Sequence, residues 1–178
     1  MNLISRNYFR WVAPTIISIA FVCWSSWFIY RSSFVIGGRR YFSLFDDAMI
    51  SMRYAWNLAH GNGLVWNIGE RVEGYTNLLM TLAMSIPNYL FDKACATLSI
   101  QIFGIVLLLL SAILSMKIGN RVLRRDMEAY KGLTYALICV GILGYYPLVY
   151  WSLMGMETGL LTMLLLAAVL MCLQYIEG

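Results

Sequence analysis

Residues 11–30 read WVAPTIISIAFVCWSSWFIY, a run that matches in length the roughly 20 apolar residues needed to span a bilayer core. The whole chain has the same character, since 61% of its 178 residues are hydrophobic, 12% are charged and the mean hydropathy is +0.70. Soluble domains are roughly half apolar and one quarter charged. The sequence therefore predicts an integral membrane protein.

The run at 11–30 follows Arg6 and Arg10, as the apolar part of a signal peptide would. It is close to span length and lacks a small-x-small cleavage site, so we predict a retained anchor. Further apolar runs of similar length lie at 96–116, 133–151 and 158–176. No segment shows strand alternation over a useful length. The predicted fold is an all-α, polytopic bundle of four transmembrane helices.

A fifth apolar run, 75–91, differs from the other four. It is shorter, opens with the polar residues Tyr75, Thr76 and Asn77, and contains Pro87. These features favour a helix that lies along the membrane surface, or enters the membrane without crossing it. We therefore predict a juxtamembrane or re-entrant helix here.

The distribution of basic residues predicts the orientation. Arg6 and Arg10 place the N-terminus in the cytoplasm and loop 31–74 outside. The loop 117–132, KIGNRVLRRDMEAYKG, carries five basic residues and belongs inside. That is satisfied if the fifth run does not cross. Residues 151–157 then return to the outer face, beside loop 31–74.

Charge and cysteine usage exclude several classes of protein. The net charge is only +4, and the basic residues cluster between apolar runs, as expected at an anionic membrane face and not on a nucleic-acid surface. No cysteine pair has CxxC spacing, so neither a metal site nor a disulfide framework is indicated. The cysteines are Cys23, Cys95, Cys139 and Cys172.

The segment DDAMISMRYAWNLAH, residues 46–60, has the pattern of an amphipathic helix at a membrane surface. One polar stripe would contain Asp46, Arg53, Asn57 and His60. The opposite side would contain Ala48, Met52, Ala55, Trp56 and Ala59. We predict Asp46 as the N-cap, Asp47 in the first turn, and residues 61–63 as the end of the helix.

Asp46 and Asp47 allow three interpretations. Repulsion between adjacent carboxylates favours a proton on one of them, which suits a general base that deprotonates a hydroxyl. The pair could instead hold a divalent cation, with Glu157 as a further ligand. Both acids could also simply stabilise the start of a surface helix. Glu157 favours a role in chemistry, because an acid at that depth is costly without a partner or a function.

Two arginines are candidates to bind the phosphate of a lipid carrier, Arg53 and Arg71. Ion pairs with Glu70 or Glu73, or contacts with lipid headgroups, are equally compatible with their positions. His60 is the single histidine of the chain. Without a second metal-binding partner in the sequence, its predicted role is at the helix end or in hydrogen bonding.

The segment GLVWNIGERVEGYTN, residues 63–77, is rich in glycine, polar and aromatic residues, and suits a polar ligand held beside the membrane. Aromatic residues here and in the preceding helix could form a platform for a sugar. An interfacial aromatic belt is the favoured interpretation for each of them. They are Tyr54, Trp56, Trp66 and Tyr75.

Residues 46–87 read DDAMISMRYAWNLAHGNGLVWNIGERVEGYTNLLMTLAMSIP. This segment resembles the first extracytoplasmic loop of the membrane-embedded GT-C glycosyltransferases. It is most similar to the bacterial arabinofuranosyltransferase-like group, with its pattern DDAxIS, RYAxNLAxGxGLVWN and GERVEGYTNxL. Outside residues 46–87 the resemblance extends only to the layout of apolar runs.

The resemblance implies an inverting enzyme at the outer face of the bacterial inner membrane. Its donor would be a polyprenyl-phosphate sugar, and its acceptor a cell-envelope glycan or glycoprotein. Asp46 would be the base that activates the acceptor hydroxyl, with Asp47 as its neighbour. Glu157 matches a later acidic position at the outer end of a span. The residues that match the segment lining the family's site are Glu73, Tyr75 and Asn77.

Enzymes of this family usually have many more spans, and often a soluble C-terminal domain. The 178 residues therefore correspond to the N-terminal part of a GT-C transmembrane domain, which would act with the remaining part of the transferase. The alternative is a small non-catalytic membrane subunit that binds a partner through its acidic loop. An ion or proton carrier is less favoured, because its acids should lie in mid-span and these cluster at one face.

Overall fold

The computed structural model describes residues 3–122 and 130–177, with side chains from Arg10 onward. The described part is predominantly helical, as predicted, with one short hairpin. In chain order the elements are α1 (Leu3–Ser32), β1 (Phe34–Ile36), β2 (Arg39–Tyr41), α2 (Asp46–Ala59), α3 (Leu78–Leu90), α4 (Lys93–Val122), α5 (Lys131–Leu143), α6 (Tyr146–Leu153) and α7 (Thr158–Glu177).

Three of the described helices are long and apolar enough to cross a membrane: α1 from Arg10 onward, α4 and α7. Helices α5 and α6 meet the same criterion only together, as a pair bent by 55°. The described residues therefore contain three helices that could each span a membrane, or four potential spans if the bent pair is counted as one span. Together with the composition, they suggest a membrane protein.

The predicted span 133–151 consists of two helices, because the chain breaks between α5 and α6. Helix α5 ends at Leu143, and Tyr145 adopts an extended conformation with φ −75° and ψ 94°. Pro147 explains the break. In a continuous helix its ring would clash with the carbonyl of Leu143, whereas it is well tolerated in the first turn of a new helix.

Helix α4 lies at the centre of the helical core. Half of the residues in its most apolar stretch are buried, compared with 22% for α1 and 17% for α7. It packs on α1, α5 and α6 through one continuous apolar cluster. The buried members of this cluster are Phe21, Ile29, Ile105, Leu108, Ala112, Met116, Tyr135, Cys139, Leu143, Val149 and Leu153.

Glycines allow three helices to meet closely at Ser152, near the end of α6. A Cβ on Gly104 of α4 would lie 2.4 Å from the carbonyl oxygen of Ser152, and one on Gly159 of α7 would lie 2.6 Å from its hydroxyl oxygen. Small residues permit such close backbone approach between apolar helices. The end of α6 is therefore held between α4 and α7.

A second apolar cluster joins α2 and α3 to the first turns of α4, and consists of alanine, methionine, leucine and isoleucine. Its buried members are Leu44, Ala48, Met52, Ala55, Met80, Met84, Ala96 and Ile100. Helix α3 has 13 residues, or about 20 Å at 1.5 Å per residue. This is less than the roughly 30 Å of a bilayer core, which favours the predicted non-crossing helix at 75–91.

The sequence did not predict the hairpin between α1 and α2. Strands β1 and β2 pair antiparallel, with Phe34 opposite Tyr41. Gly37 and Gly38 form the turn with φ values of 58° and 79°, which suits a two-residue hairpin turn. Strands of three residues are too short to show a detectable alternation of polar and apolar residues.

The elements gather at two ends of the helical core. The loop end contains the hairpin, α2, α3, the start of α4 and the α6–α7 turn. An ion pair between Arg39 and Asp92 joins the hairpin to the start of α4, and a hydrogen bond from the Phe45 amide to the Met154 carbonyl joins the start of α2 to the α6–α7 turn. The basic end contains Arg10 of α1, the start of α5, and the ends of α4 and α7, where an ion pair joins Arg121 to Glu177.

The two ends differ in net charge, counted along the sequence. Residues 31–93 and Glu157 contribute six basic and six acidic residues to the loop end, which is therefore neutral. The described side chains of the basic end include four basic residues and one acidic residue: Arg10, Lys117, Arg121, Lys131 and Glu177. The described part of the basic end therefore has a surplus of three positive charges.

Candidate functional site

A cleft of about 500 Å³ opens at the loop end, between α2, the segment after α2 and the start of α4. Its wall combines one carboxylate, two cations, two amides and two indole rings. These groups belong to Asp46, Arg53, Lys93, Asn57, Asn88, Trp56 and Trp66. The cleft therefore brings together three of the predicted site residues, Asp46, Arg53 and Asn57.

Arg53 is fixed on the wall of the cleft by the segment that follows α2. Its Nε donates to the carbonyl of Trp66 at 2.9 Å, and Nη2 donates to Oδ1 of Asn67 at 3.1 Å. The guanidinium carbon lies 4.6 Å from the centroid of the Trp66 ring. Within the described residues Arg53 has no ion pair with an acid, so its charge stays available to an anion in the cleft.

Lys93 is a cleft residue that the sequence analysis missed. Its Nζ lies 4.8 Å from the centroid of the Trp56 ring. The preceding residue, Asp92, accepts the backbone N–H of Cys95 at 2.9 Å and so caps α4. Such a cap fixes the first turn of a helix, and with it the position of Lys93. The sequence did contain a signal for this helix start, because Asp92 lies just before the apolar run 96–116.

Asp46 and Asp47 both lie in the first turn of α2 and are exposed. The prediction of Asp46 as N-cap is wrong by one residue, because Phe45 takes that position and makes no side-chain cap. The helix dipole still favours both acids there. Contacts with α6 hold this start of the helix: the Phe45 amide donates to the Met154 carbonyl at 2.9 Å, and the Phe45 ring meets Trp151 edge-on at 4.7 Å.

A partly buried hydrogen-bond network joins α2, α3 and the turn before α7. The Nδ2 atom of Asn77 donates to Oε2 of Glu157 at 2.8 Å. Its Oδ1 accepts the hydroxyls of Ser51 at 2.8 Å and of Thr81 at 3.0 Å. The prediction that Glu157 lies beside the acidic loop is confirmed. Asn77 and Glu157 are thus direct partners, although 80 residues separate them.

Asn57 lines the cleft with Asp46 and Arg53 of the predicted polar stripe, but it is not solvated. The residue is only 9% exposed, and its Nδ2 donates to the carbonyls of Val65 at 2.7 Å and Trp66 at 3.0 Å. The chain reverses after α2 through Gly61 and Gly63, whose φ values of 79° and 80° suit glycine. The returning segment covers Asn57, which fastens it to the helix.

His60 and Tyr75 stabilise the loop and do not line the cleft. The His60 ring stacks on Trp56 at 3.9 Å, and its Nδ1 lies 2.8 Å from the Trp56 carbonyl oxygen. Its predicted role at the helix end is confirmed. Tyr75 packs edge-on against Tyr54 at 5.0 Å, and the Tyr54 hydroxyl donates to the carbonyl of Val72 at 2.8 Å.

Arg71 and Glu73 line a different cavity, of about 390 Å³, together with residues 62–65. The structure therefore does not place them in the cleft with Asp46. Asp47 is exposed beside Asp46 and does not line the cleft. The other predicted residues fall into three groups: the cleft, the network of Asn77 and Glu157, and the loop that covers α2.

The structure also bears on the predicted alternative of a cation held by Asp46, Asp47 and Glu157. Across residues 3–122 and 130–177, no three His, Cys, Asp or Glu side chains are close enough together to hold a metal ion. Glu157 instead accepts a hydrogen bond from Asn77. The three-acid cation site does not form in this arrangement.

No protein family model matches the chain, and no curated protein or solved structure is significantly similar to it. Function therefore has to be inferred from the residues of the loop end and from the motifs in residues 46–87.

Proposed function

We propose that this chain is the N-terminal part of a GT-C membrane glycosyltransferase. It moves a sugar from a polyprenyl-phosphate donor to a cell-envelope glycan or glycoprotein acceptor, and the cleft at the loop end is its active site. The observation that carries the proposal is the composition of this cleft. A carboxylate in a first helical turn faces the same space as two fixed cations and two indole rings.

Each part of the cleft fits one part of that reaction. The Asp46 carboxylate accepts the proton of the acceptor hydroxyl, and the hydroxyl oxygen then forms a bond to the anomeric carbon of the sugar. The bond from that carbon to the phosphate oxygen breaks, and its electron pair leaves with the polyprenyl phosphate. Arg53 and Lys93 stabilise the charge that develops on this leaving group.

The remaining predicted residues have supporting roles in the proposal. Asp47 is the adjacent carboxylate in the same helical turn, and Trp56 and Trp66 stack against the sugar. The network of Asn77 and Glu157 fixes α2 against α3 and the start of α7. Arg71, Glu73, Tyr75 and His60 maintain the loop that covers α2 and could contact a long acceptor.

The proposal includes a location. The chain is a multi-pass protein of the bacterial inner membrane, with the basic end in the cytoplasm and the loop end outside. The surplus of three positive charges on the described residues of the basic end supports this orientation, since positively charged loops stay in the cytoplasm. The remaining part of the transferase would pack on α1 and α7, whose apolar faces are largely exposed.

The test is sugar transfer by membranes that contain the full chain, supplied with radiolabelled polyprenyl-phosphate sugars. Asp46→Asn keeps the size of the side chain and removes the base. We expect a loss of transfer of at least about 100-fold, the lower range for removal of a general base, with membrane insertion unchanged. Glu70→Gln is the matched control, because Glu70 lies in the same loop but bonds to Asn67.

Full transfer by the Asp46→Asn protein would show that Asp46 is not the base. If neither the native chain nor the variant transfers sugar while both co-purify with a larger membrane protein, the alternative of a non-catalytic subunit is favoured. Loss of that association in a variant of the acidic loop would support the alternative further.

A further inference from the structure

We infer that the basic end carries a binding site for one anionic phospholipid, with a cavity for the phosphate headgroup and a groove for an acyl chain. The inference goes beyond the proposed transferase function and does not depend on it. It requires only that the apolar helices lie in a bilayer.

The headgroup cavity has a volume of about 760 Å³ and lies between α1, α4, α5 and α7. Among the described residues that line it, four side chains are cationic and none is acidic, and one of the four, Arg121, also pairs with Glu177. The four are Arg10, Lys117, Arg121 and Lys131. Such a concentration of positive charge between helices is typical of sites that bind anionic lipid headgroups.

Arg10 provides a second, independent observation. Its Nε is buried and has no hydrogen-bond partner within the described residues. A buried donor without a partner on a charged group is unfavourable, and an anionic headgroup beside this guanidinium would compensate for it. The backbone there is closely packed, because a Cβ on Gly132 would lie 3.2 Å from the Cα of Arg10. Arg10 is thus held at the cavity by the contact between α1 and α5.

Aromatic and polar side chains shape the wall beside Arg10. Trp11 packs against Tyr135 with ring centroids 5.1 Å apart. The Tyr135 hydroxyl donates to Oδ1 of Asn120 at 3.1 Å. The cavity therefore has a defined wall joining α1, α4 and α5, and is more than a cluster of surface lysines and arginines.

A groove continues from the cavity along α1 and α4. It has a volume of about 420 Å³ and shares Trp11, Ile113 and Met116 with the cavity. It reaches Cys23 on α1 and Leu109 on α4. Residues 11–23 rise about 18 Å along a helix, slightly more than the roughly 15 Å of one leaflet's hydrocarbon.

The combination of cavity and groove indicates a lipid and not a soluble anion. Inorganic phosphate would use only the cationic cavity, whereas a phospholipid would fill both. A zwitterionic lipid would bring its own cation next to four others, so an anionic headgroup is the better match for the charges.

The test measures which lipid the purified full chain retains. We would offer the detergent-solubilised protein equal amounts of phosphatidylglycerol and phosphatidylcholine with identical acyl chains, and count bound lipids by native mass spectrometry. We expect preferential retention of phosphatidylglycerol. Lys117→Gln should reduce the preference about fivefold, the contribution of one basic residue at an anionic surface. Arg31→Gln, an exposed cation at the loop end, is the matched control and should not change it.

A second variant tests the acyl-chain groove separately from the headgroup cavity. Thr15 is an exposed residue of the groove, so Thr15→Trp should obstruct the acyl chain without disturbing the cations or the core. Loss of lipid retention in this variant supports the site. Equal retention of the two lipids, or an unchanged preference in Lys117→Gln, would overturn the inference. So would protection from thermal unfolding by millimolar inorganic phosphate equal to that by phosphatidylglycerol, with no effect of Thr15→Trp.

Discussion

The two ends of the helical core use their polar side chains in opposite ways. At the loop end, polar groups bond mainly to one another: Asn77 bonds to Glu157, Asn57 to the carbonyl of Val65, and Arg53 to the carbonyl of Trp66. At the basic end, the cations surround an open cavity and Arg10 keeps an unsatisfied Nε. Fixed groups suit the positioning demanded by a reaction, whereas a cavity lined by several cations suits an anionic ligand.

The loop end also has its own apolar packing, which depends on a contact that the basic end does not share. The cluster under α2 is rich in alanine and methionine, so α2 and α3 lie close to α4. Its position depends on the α6–α7 turn, and therefore on the contact of Ser152 with Gly104 and Gly159. A change at that contact should affect the loop end much more than the basic end.

The largest expected effect follows from Gly104→Ala. The new Cβ would lie 2.4 Å from the carbonyl oxygen of Ser152, and a backbone atom cannot easily move aside. We expect a loss of about 2–3 kcal/mol in the free energy of unfolding, at the upper end for overpacking, measured by SDS titration with circular dichroism. Proteolysis at residues 61–77 should increase, while lipid retention at the basic end stays native.

Gly141→Ala is the matched control for that experiment. It makes the same substitution in helix α5, where a Cβ would meet nothing within 4 Å. We expect no loss, and a gain of up to about 1 kcal/mol from the higher helix propensity of alanine. Equal destabilisation by both substitutions would contradict the close contact at Ser152.

The next effect in size is that of Asn77→Ala. It removes the acceptor for two buried hydroxyls, those of Ser51 and Thr81, and the donor for Glu157. Because the hydroxyls can turn towards backbone carbonyls, we expect a loss of about 1–2 kcal/mol in unfolding free energy. Asn120→Ala removes a single exposed partner of Tyr135 and should cost less than about 1 kcal/mol. If the two alanine variants were equally stable, the two ends would not differ as described.

The smallest effect on stability should come from Glu177→Gln. The pair of Arg121 and Glu177 is partly exposed, with side chains 32% and 47% accessible, and such surface pairs contribute about 0–1 kcal/mol. The variant raises the positive charge of the basic end, so retention of phosphatidylglycerol should rise, by up to about fivefold. Glu70→Gln makes the same change in charge at the loop end. An equal rise in that variant would show that total charge, and not the cavity, governs retention.

The sequence was sufficient to predict the apolar helices but not their full lengths. Hydrophobicity marks only the apolar part of each helix, so the predicted run 96–116 omitted the turns that extend α4 from Lys93 to Val122. Pro147 was a local signal for the break between α5 and α6, but the average hydrophobicity of the run 133–151 does not reveal a single proline. The hairpin had only its Gly37-Gly38 turn as a signal, because each strand is too short for periodicity.

The site was predictable in part, for a physical reason. Asp46, Arg53 and Glu157 could be singled out because charge is costly in so apolar a chain. The environment of Asn57 could not, since helical periodicity describes one helix and not the segment that folds back over it. Lys93 likewise enters the cleft only through the packing of α4 beside α2, a contact between residues distant in sequence.

The hydrogen bonds of Phe45 to Met154 and of Asn77 to Glu157 also have a consequence for biosynthesis. Seventy residues separate Pro87, the end of the motif-bearing segment, from Glu157. A ribosome adding about 5–20 residues per second needs roughly 4–14 seconds to make them. During that interval the acidic loop has already been synthesised but lacks both partners. These two bonds therefore form only after the α6–α7 turn has been inserted, so the fastening of α2 and α3 against the start of α7 is a late step in the maturation of this protein.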